Sequence, residues 1–156
     1  MESLTINAEF FSQRVQCGRN DKQECLRTIY LLAEVAYTFM QGSIRAVDSL
    51  ISSNTVKYSE VFLNRALQLF IDAKNVDQIR TVAYNTIIAS NFIGQQFLNA
   101  VIITEALAAL YDHEDIDYIF NFLIPSYFGM DYEENARQAY RDFRTLKLQE
   151  HPVSER

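Results

Sequence analysis

Five ionisable side chains occupy six consecutive positions in the segment LYDHEDIDYIFNFLIP, residues 110–125: Asp112, His113, Glu114, Asp115 and Asp117. Carboxylates and an imidazole this close together could coordinate a metal ion or exchange protons with a substrate. They could instead begin a helix, because aspartate accepts hydrogen bonds from the free N–H groups of a first helical turn. Apolar and aromatic residues follow directly. The pattern therefore favours a helix start, with Asp112 or Glu114 as its N-cap.

The spacing of these acids does not fit a calcium or zinc site. An EF-hand loop needs glycine at its sixth position and glutamate at its twelfth, and counting from Asp112 or Asp115 gives neither. The histidines are His113 and His151, too few for a zinc site, and the chain has no GxSxG motif or glycine-rich phosphate loop. We predict no catalytic residue, metal or cofactor. The alternative is an enzyme or small-ligand-binding protein with a pocket among the helices, using His113, Glu105, Asp112 and Tyr111.

The sequence on both sides of these residues carries helix signals rather than strand signals. A chain of 156 residues with only four glycines and two prolines suggests one helical domain. Apolar residues recur at helical spacing over about 21–41, 43–51, 61–72, 75–90, 95–111, 114–125 and 131–147, after a short first helix near residues 5–18. We predict an all-α fold: a compact bundle of six or seven helices around a central apolar helix at about 95–111. Residues 1–150 form its single domain and 151–156 a flexible C-terminal tail.

Helix boundaries are predicted from caps and breaks. Three helix starts have the spacing of a capping box, in which Glu or Gln follows the cap residue by three positions. They are Asp21 with Glu24, Asn75 with Gln78, and Asp131 with Glu134. Breaks are expected at Gly42, at 91–94 and at Gly129, and Pro125 is expected to end or kink its helix.

Two segments align at an offset of 40 positions. ALQLFIDAKNVDQI (66–79) and ALAALYDHEDIDYI (106–119) share Ala, Leu, Asp, Asp and Ile at equivalent places. This spacing is compatible with helix pairs of the HEAT or armadillo kind. Similar helix junctions also arise from capping alone, so we favour a compact bundle over a true repeat.

Charge is distributed unevenly along the chain. Between Arg80 and Arg137 there is no Lys or Arg, whereas eight acids occur: Glu105, Asp112, Glu114, Asp115, Asp117, Asp131, Glu133 and Glu134. An acidic surface repels nucleic acid and anionic lipid and favours basic partners. The alternative is that these acids have no binding role and only keep an apolar segment soluble.

The last helix, 131–147, has acids at its start and cations after them, in the order that the helix dipole favours. Ala136, Tyr140, Phe143 and Leu146 form a narrow apolar stripe. The stripe could bind a second chain or seal the bundle of its own chain. Cations beside aromatic residues could also bind RNA, but the net charge of −6 makes nucleic acid an unfavoured partner.

The sequence thus predicts a non-enzymatic protein–protein interaction module, an adaptor, scaffold or chaperone-like factor, that binds a basic partner. Self-association is a further hypothesis, since many aromatic side chains could leave an apolar patch exposed. Cys17 and Cys25 form no zinc or disulfide pattern, and no targeting or membrane-spanning segment is recognised, so we predict a cytoplasmic location. The predicted partner-binding residues are Asp112, Glu114, Asp115, Asp117, Asp131, Glu133, Glu134, Arg137, Arg141 and Arg144.

Overall fold

Helices account for nearly all of residues 17–52 and 61–150, which are the residues described in a computed structural model of the chain. They are α1 (Arg19–Ser52), α2 (Val61–Asp72), α3 (Val76–Ala89), α4 (Gly94–Tyr111), α5 (Ile116–Tyr118), α6 (Ile124–Ser126) and α7 (Glu133–Glu150), with a π-helical turn, Ile119–Leu123, between α5 and α6. The all-α bundle is confirmed. The helix predicted near residues 5–18 and the tail 151–156 lie outside the described residues. Within the described ranges, no helix has the length and apolarity needed to cross a membrane.

Helix α4 is the centre of the bundle, as predicted. Every residue from Phe97 to Leu110 is buried, because α1, α2 and α3 all pack against this helix. Its few polar side chains are satisfied within the protein. Thr28 Oγ1 of α1, for example, donates a hydrogen bond of 2.5 Å to Asn99 Oδ1. A helix that is apolar on all sides is stable only when it is surrounded in this way.

Helix α1 continues through Gly42, so the predicted break at this residue is wrong. A glycine inside a helix costs about 1 kcal/mol relative to alanine. Val47, on the far side of Gly42, is completely buried, and burying a valine side chain contributes about 1.5–3 kcal/mol. Packing therefore outweighs the local cost. The start of α1 also differs from the prediction: the helix begins at Arg19, and Asp21 accepts a hydrogen bond from Gly18 N from within the first turn.

The two segments at an offset of 40 form equivalent helix junctions. Asn75 caps α3 by accepting a hydrogen bond from Gln78 N at 2.9 Å, as predicted. Asp115, 40 positions later, caps α5 by accepting from Tyr118 N at 3.2 Å. Helix α5 therefore starts at the charged cluster, but the N-cap is neither Asp112 nor Glu114, and Asp112 is instead the C-cap of α4. Shared capping chemistry is enough to explain the alignment.

The remaining breaks lie where the backbone adopts positive φ. Asn91 (φ 56°) and Gly129 (φ 88°) separate α3 from α4 and α6 from α7, as predicted. Helix α7 begins at Glu133, so the prediction that Asp131 is its N-cap is wrong. Asp131 lies in the preceding turn, 3.6 Å from Lys22 Nζ.

Helix α7 lies parallel to α1 and seals the bundle. Phe143 packs edge-on against Tyr30 at 6.4 Å, and Lys147 pairs with Glu34 at 3.1 Å, so contacts advance in the same direction along both helices. Ala136, Tyr140 and Phe143 of the apolar stripe are buried, which agrees with the second of the two alternatives left open by the sequence, but Leu146 is 49% exposed. The stripe thus serves its own chain, and Lys147 takes the next position toward α1 because the helical period is 3.6 residues.

Candidate functional site

A groove with a volume of about 240 Å³ lies between α1, the π-helical turn and α7, and is called here the α1–α7 groove. Ala33 and Ala36 of α1 line it, and their small side chains leave the space that larger residues would fill. Phe120 and the aromatic residues of α7 make the lining mainly apolar, and the cations Arg144 and Lys147 of α7 also line it. Met40 and Leu148, which also line the groove, are 65% and 62% exposed. Large apolar side chains left in solvent beside a concave surface are typical of a binding site.

The π-helical turn places Phe120 in the groove. Phe120 is buried and stacks on Tyr140 of α7, with ring centroids 4.5 Å apart and an interplanar angle of 11°. A π-helical turn widens the backbone by one residue, and such turns occur frequently at functional sites. The helical path ends at Ser126, one residue after Pro125, in agreement with the predicted effect of proline.

Arg137 of α7 binds a backbone group of the π-helical turn. Its Nε donates a hydrogen bond to the Asn121 carbonyl oxygen at 3.0 Å. The same guanidinium pairs with Glu133 at 2.9 Å. Arg137 therefore ties α7 to the π-helical turn, and its guanidinium is already bonded within the chain; its part in partner binding stays a prediction.

Replacing Arg137 with alanine is expected to lower the free energy of unfolding by about 1–2 kcal/mol, because a partly buried carbonyl loses a charge-assisted hydrogen bond. Urea unfolding followed by circular dichroism measures the loss. Arg141→Ala, four positions along the same helix face, is the matched control and should cost less than about 1 kcal/mol, since its contacts are exposed. Equal losses for the two variants would contradict the role of the carbonyl contact.

The other charges at the start of α7 are also paired within the chain. Glu134 accepts hydrogen bonds from Arg137 and Arg141, and the bond from Arg141 in particular lowers the pKa of Glu134. Asp131 pairs with Lys22, as described above. Of the three predicted partner-binding arginines on α7, Arg144 alone has no carboxylate partner among the described residues. Its guanidinium lies 5.8 Å from the centre of the Tyr140 ring. Most of this predicted surface is therefore internally neutralised.

The acids that remain open to a partner lie in the acidic turn, residues 112–117, which joins α4 to α5. Its four carboxylates are exposed, and none forms an ion pair with a described residue. They are Asp112, Glu114, Asp115 and Asp117. Burial raises the pKa of Tyr140, Arg144 lowers it, and the negative charges of Asp117 and Asp115 raise it further. Ile116, which stands between Asp115 and Asp117, lines the α1–α7 groove, so the acidic turn borders this groove.

Two of the four side chains named for the alternative small-ligand pocket share a cavity. Tyr111 and His113 line it together with Phe39, Ile44 and Phe70, and its volume is about 420 Å³, whereas Glu105 and Asp112 do not line it. His113, at a positive φ of 61°, stacks on Phe39 with ring centroids 5.9 Å apart. Tyr111 donates its hydroxyl to the Ala73 carbonyl oxygen at 2.9 Å. Glu105 faces α3 instead. Within residues 17–52 and 61–150, no group of three His, Cys, Asp or Glu side chains is placed to hold a metal ion.

Glu105 belongs to a buried polar cluster that the sequence analysis did not predict. The carboxylate is 8% exposed and accepts hydrogen bonds from Arg80 Nε at 3.1 Å and Arg80 Nη2 at 2.9 Å. The Tyr84 hydroxyl donates to its second oxygen. The hydrogen bond to Glu105 raises the pKa of Arg80, while burial, reinforced by the Glu105 charge, raises the pKa of Tyr84.

Both partners of Glu105 lie on α3, so the cluster connects α3 to α4. With its oxygens held by a guanidinium and a hydroxyl, Glu105 is a structural anion rather than an accessible base. The one sequence signal was a single acid inside an otherwise apolar helix, because a buried carboxylate requires a partner. That signal gives no position for the partner.

Comparison with known proteins gives no match to a protein-family profile, to a curated protein or to a solved structure. We therefore infer the function from the chemistry of the protein's surfaces.

Proposed function

We propose that this protein is a non-enzymatic interaction module that binds a basic amphipathic helix of a partner protein in the α1–α7 groove. The observation that carries the proposal is the combination of an apolar groove and the acidic turn that borders it. An amphipathic helix places apolar side chains at helical spacing into such a groove. The groove is smaller than the 300–1,000 Å³ of typical drug-sized pockets, which favours a row of side chains over a bulky ligand.

The acidic turn supports a basic partner rather than an acidic one. Asp112 and Asp117 are exposed and have no cation partner among the described residues, whereas Glu133 and Glu134 are neutralised by α7 itself. The proposal thus narrows the predicted acidic surface from seven acids to the four of the acidic turn. A cytoplasmic location is part of the same proposal, because the two cysteines of the sequence form no disulfide framework and cytosolic proteins keep their thiols reduced.

Two synthetic helical peptides test the proposal, one built from Leu and Lys and one from Leu and Glu in the same amphipathic pattern. Fluorescence anisotropy should detect binding of the Leu/Lys peptide and much weaker binding of the Leu/Glu peptide. The double variant Asp112→Lys/Asp117→Lys should bind the Leu/Lys peptide about tenfold more weakly, because exposed ion pairs contribute about 0.2–1 kcal/mol each and reversal replaces attraction by repulsion. Asp115 is left unchanged because it caps α5.

Asp77→Lys is the matched control. Asp77 is an exposed acid in the first turn of α3, at the position equivalent to Asp117 in the aligned segments, but no residue of α3 lines the α1–α7 groove. This control should bind the Leu/Lys peptide nearly as well as the unmodified protein. If Asp77→Lys weakens peptide binding as much as Asp112→Lys/Asp117→Lys, the effect comes from net charge. That result would refute a specific role of the acidic turn in binding. Absence of binding to either peptide would refute the groove as a helix site.

A further inference from the structure

A second groove, called here the α2–α3 groove, lies on a different face of the bundle and has a volume of about 480 Å³. Phe62 and Leu69 of α2 and Val82 of α3 give it an apolar centre. Val82 is 46% exposed. Arg65 and Asp72, both on α2, also line this groove.

Arg65 and Asp72 are a pair of opposite charges on one helix face. They are seven positions apart, two turns of α2, which separates them by about 10 Å along the helix axis. Both side chains are exposed, and neither forms an ion pair with a described residue. At this separation they are too far apart to pair with each other, so each charge is available to another molecule.

We propose that a second copy of this chain occupies the α2–α3 groove, with the two copies related by a twofold axis and their α2 helices antiparallel. In this arrangement, Arg65 of each copy faces Asp72 of the other, and the same pair forms twice. Arginine and carboxylate form a directional, bidentate contact. The apolar centre, including Val82, becomes buried between the copies.

The opposite charges of Arg65 and Asp72 favour a second copy of the chain over a partner whose surface is uniformly positive or uniformly negative. A uniformly basic surface would be repelled by Arg65, and a uniformly acidic one by Asp72, because like charges in contact weaken association. An antiparallel copy of α2 satisfies both residues at once. This inference concerns a face other than the α1–α7 groove, so it does not depend on the proposed partner helix.

Charge reversal with complementation tests the proposal by sedimentation equilibrium. Arg65→Asp and Asp72→Arg should each raise the dimer dissociation constant about tenfold or more, since each substitution places two like-charge contacts in the symmetric interface. An equimolar mixture of the two variants should form a heterodimer, because both contacts are then attractive. The double variant Arg65→Asp/Asp72→Arg should recover the homodimer.

Arg45→Asp, an exposed reversal on α1, is the control for net charge and should leave the dimer intact. Circular dichroism of each variant checks that the helices persist. A dimer with a dissociation constant of about 1 mM is half assembled at about 1 mM protein. A protein that stays monomeric at this concentration would overturn the proposal. The same conclusion follows if the two single variants do not form a heterodimer when mixed, or if Arg45→Asp weakens the dimer as strongly as Arg65→Asp.

Discussion

Replacing Arg80 with alanine is expected to lower the free energy of unfolding by about 3 kcal/mol. Removing one partner of a buried ion pair costs about 3–5 kcal/mol, because the remaining charge is left in a poorly solvated site. Here the Glu105 side chain is 10% exposed and that of Arg80 28% exposed, so the lower end of the range applies. Urea unfolding at neutral pH measures the loss.

The double variant Arg80→Ala/Glu105→Gln separates charge from packing. Glutamine keeps an acceptor for the Tyr84 hydroxyl and removes the unpaired charge, so this variant should regain part of the stability lost by Arg80→Ala. The surface pair of Arg141 and Glu134 provides the comparison, with a loss below about 1 kcal/mol for Arg141→Ala. An Arg80→Ala loss as small as that of Arg141→Ala would mean that Glu105 is adequately solvated without its guanidinium.

Phe120→Ala is expected to cost about 3–5 kcal/mol, the usual range for truncating a buried phenylalanine. Phe120 is 2% exposed, and its stacking on Tyr140 joins the π-helical turn to α7. Removal of the ring also deepens the α1–α7 groove, because Phe120 separates the groove from an adjoining apolar void lined by Leu107 and Ile119. Thermal and urea unfolding measure the effect.

Phe122→Ala provides a control from the same π-helical turn. Phe122 is two positions away and 64% exposed, so its truncation should change stability by no more than about 0.5 kcal/mol. A similar loss for both variants would contradict the described orientation of the turn, since only one of the two rings can face α7 in that backbone geometry.

Features determined by neighbouring residues were predicted well from the sequence. The central position of α4 follows from its lack of a polar face, and the Asn75 cap follows from its spacing to Gln78. The helix start at the acidic turn was also recognised, although the cap residue was misplaced because four acids compete for that role. Asp115 is the cap because its carboxylate accepts the N–H of Tyr118, three positions later.

Features that depend on distant residues were not predictable in the same way. Gly42 is a local helix breaker, but the burial of Val47 against other helices overrides it. Arg137 resembles a surface cation until the tertiary structure places it beside the Asn121 carbonyl. Arg80 and Glu105 are 25 positions apart, beyond the reach of any helical spacing rule. The α1–α7 groove was not predictable for the same reason, since its walls come from the first and the last of the described helices.

The parallel contact of α7 with α1 has a consequence for synthesis on the ribosome. The Tyr132 hydroxyl bonds to Gln23, 109 positions earlier, and Lys147 bonds to Glu34, 113 positions earlier. Synthesis adds about 5–20 residues per second, so the apolar face of α1 stays exposed for roughly 5–20 s before α7 is made and packs against it. During this interval the nascent polypeptide exposes Ala33, Ala36 and their neighbours, an apolar stretch of the kind that chaperones bind.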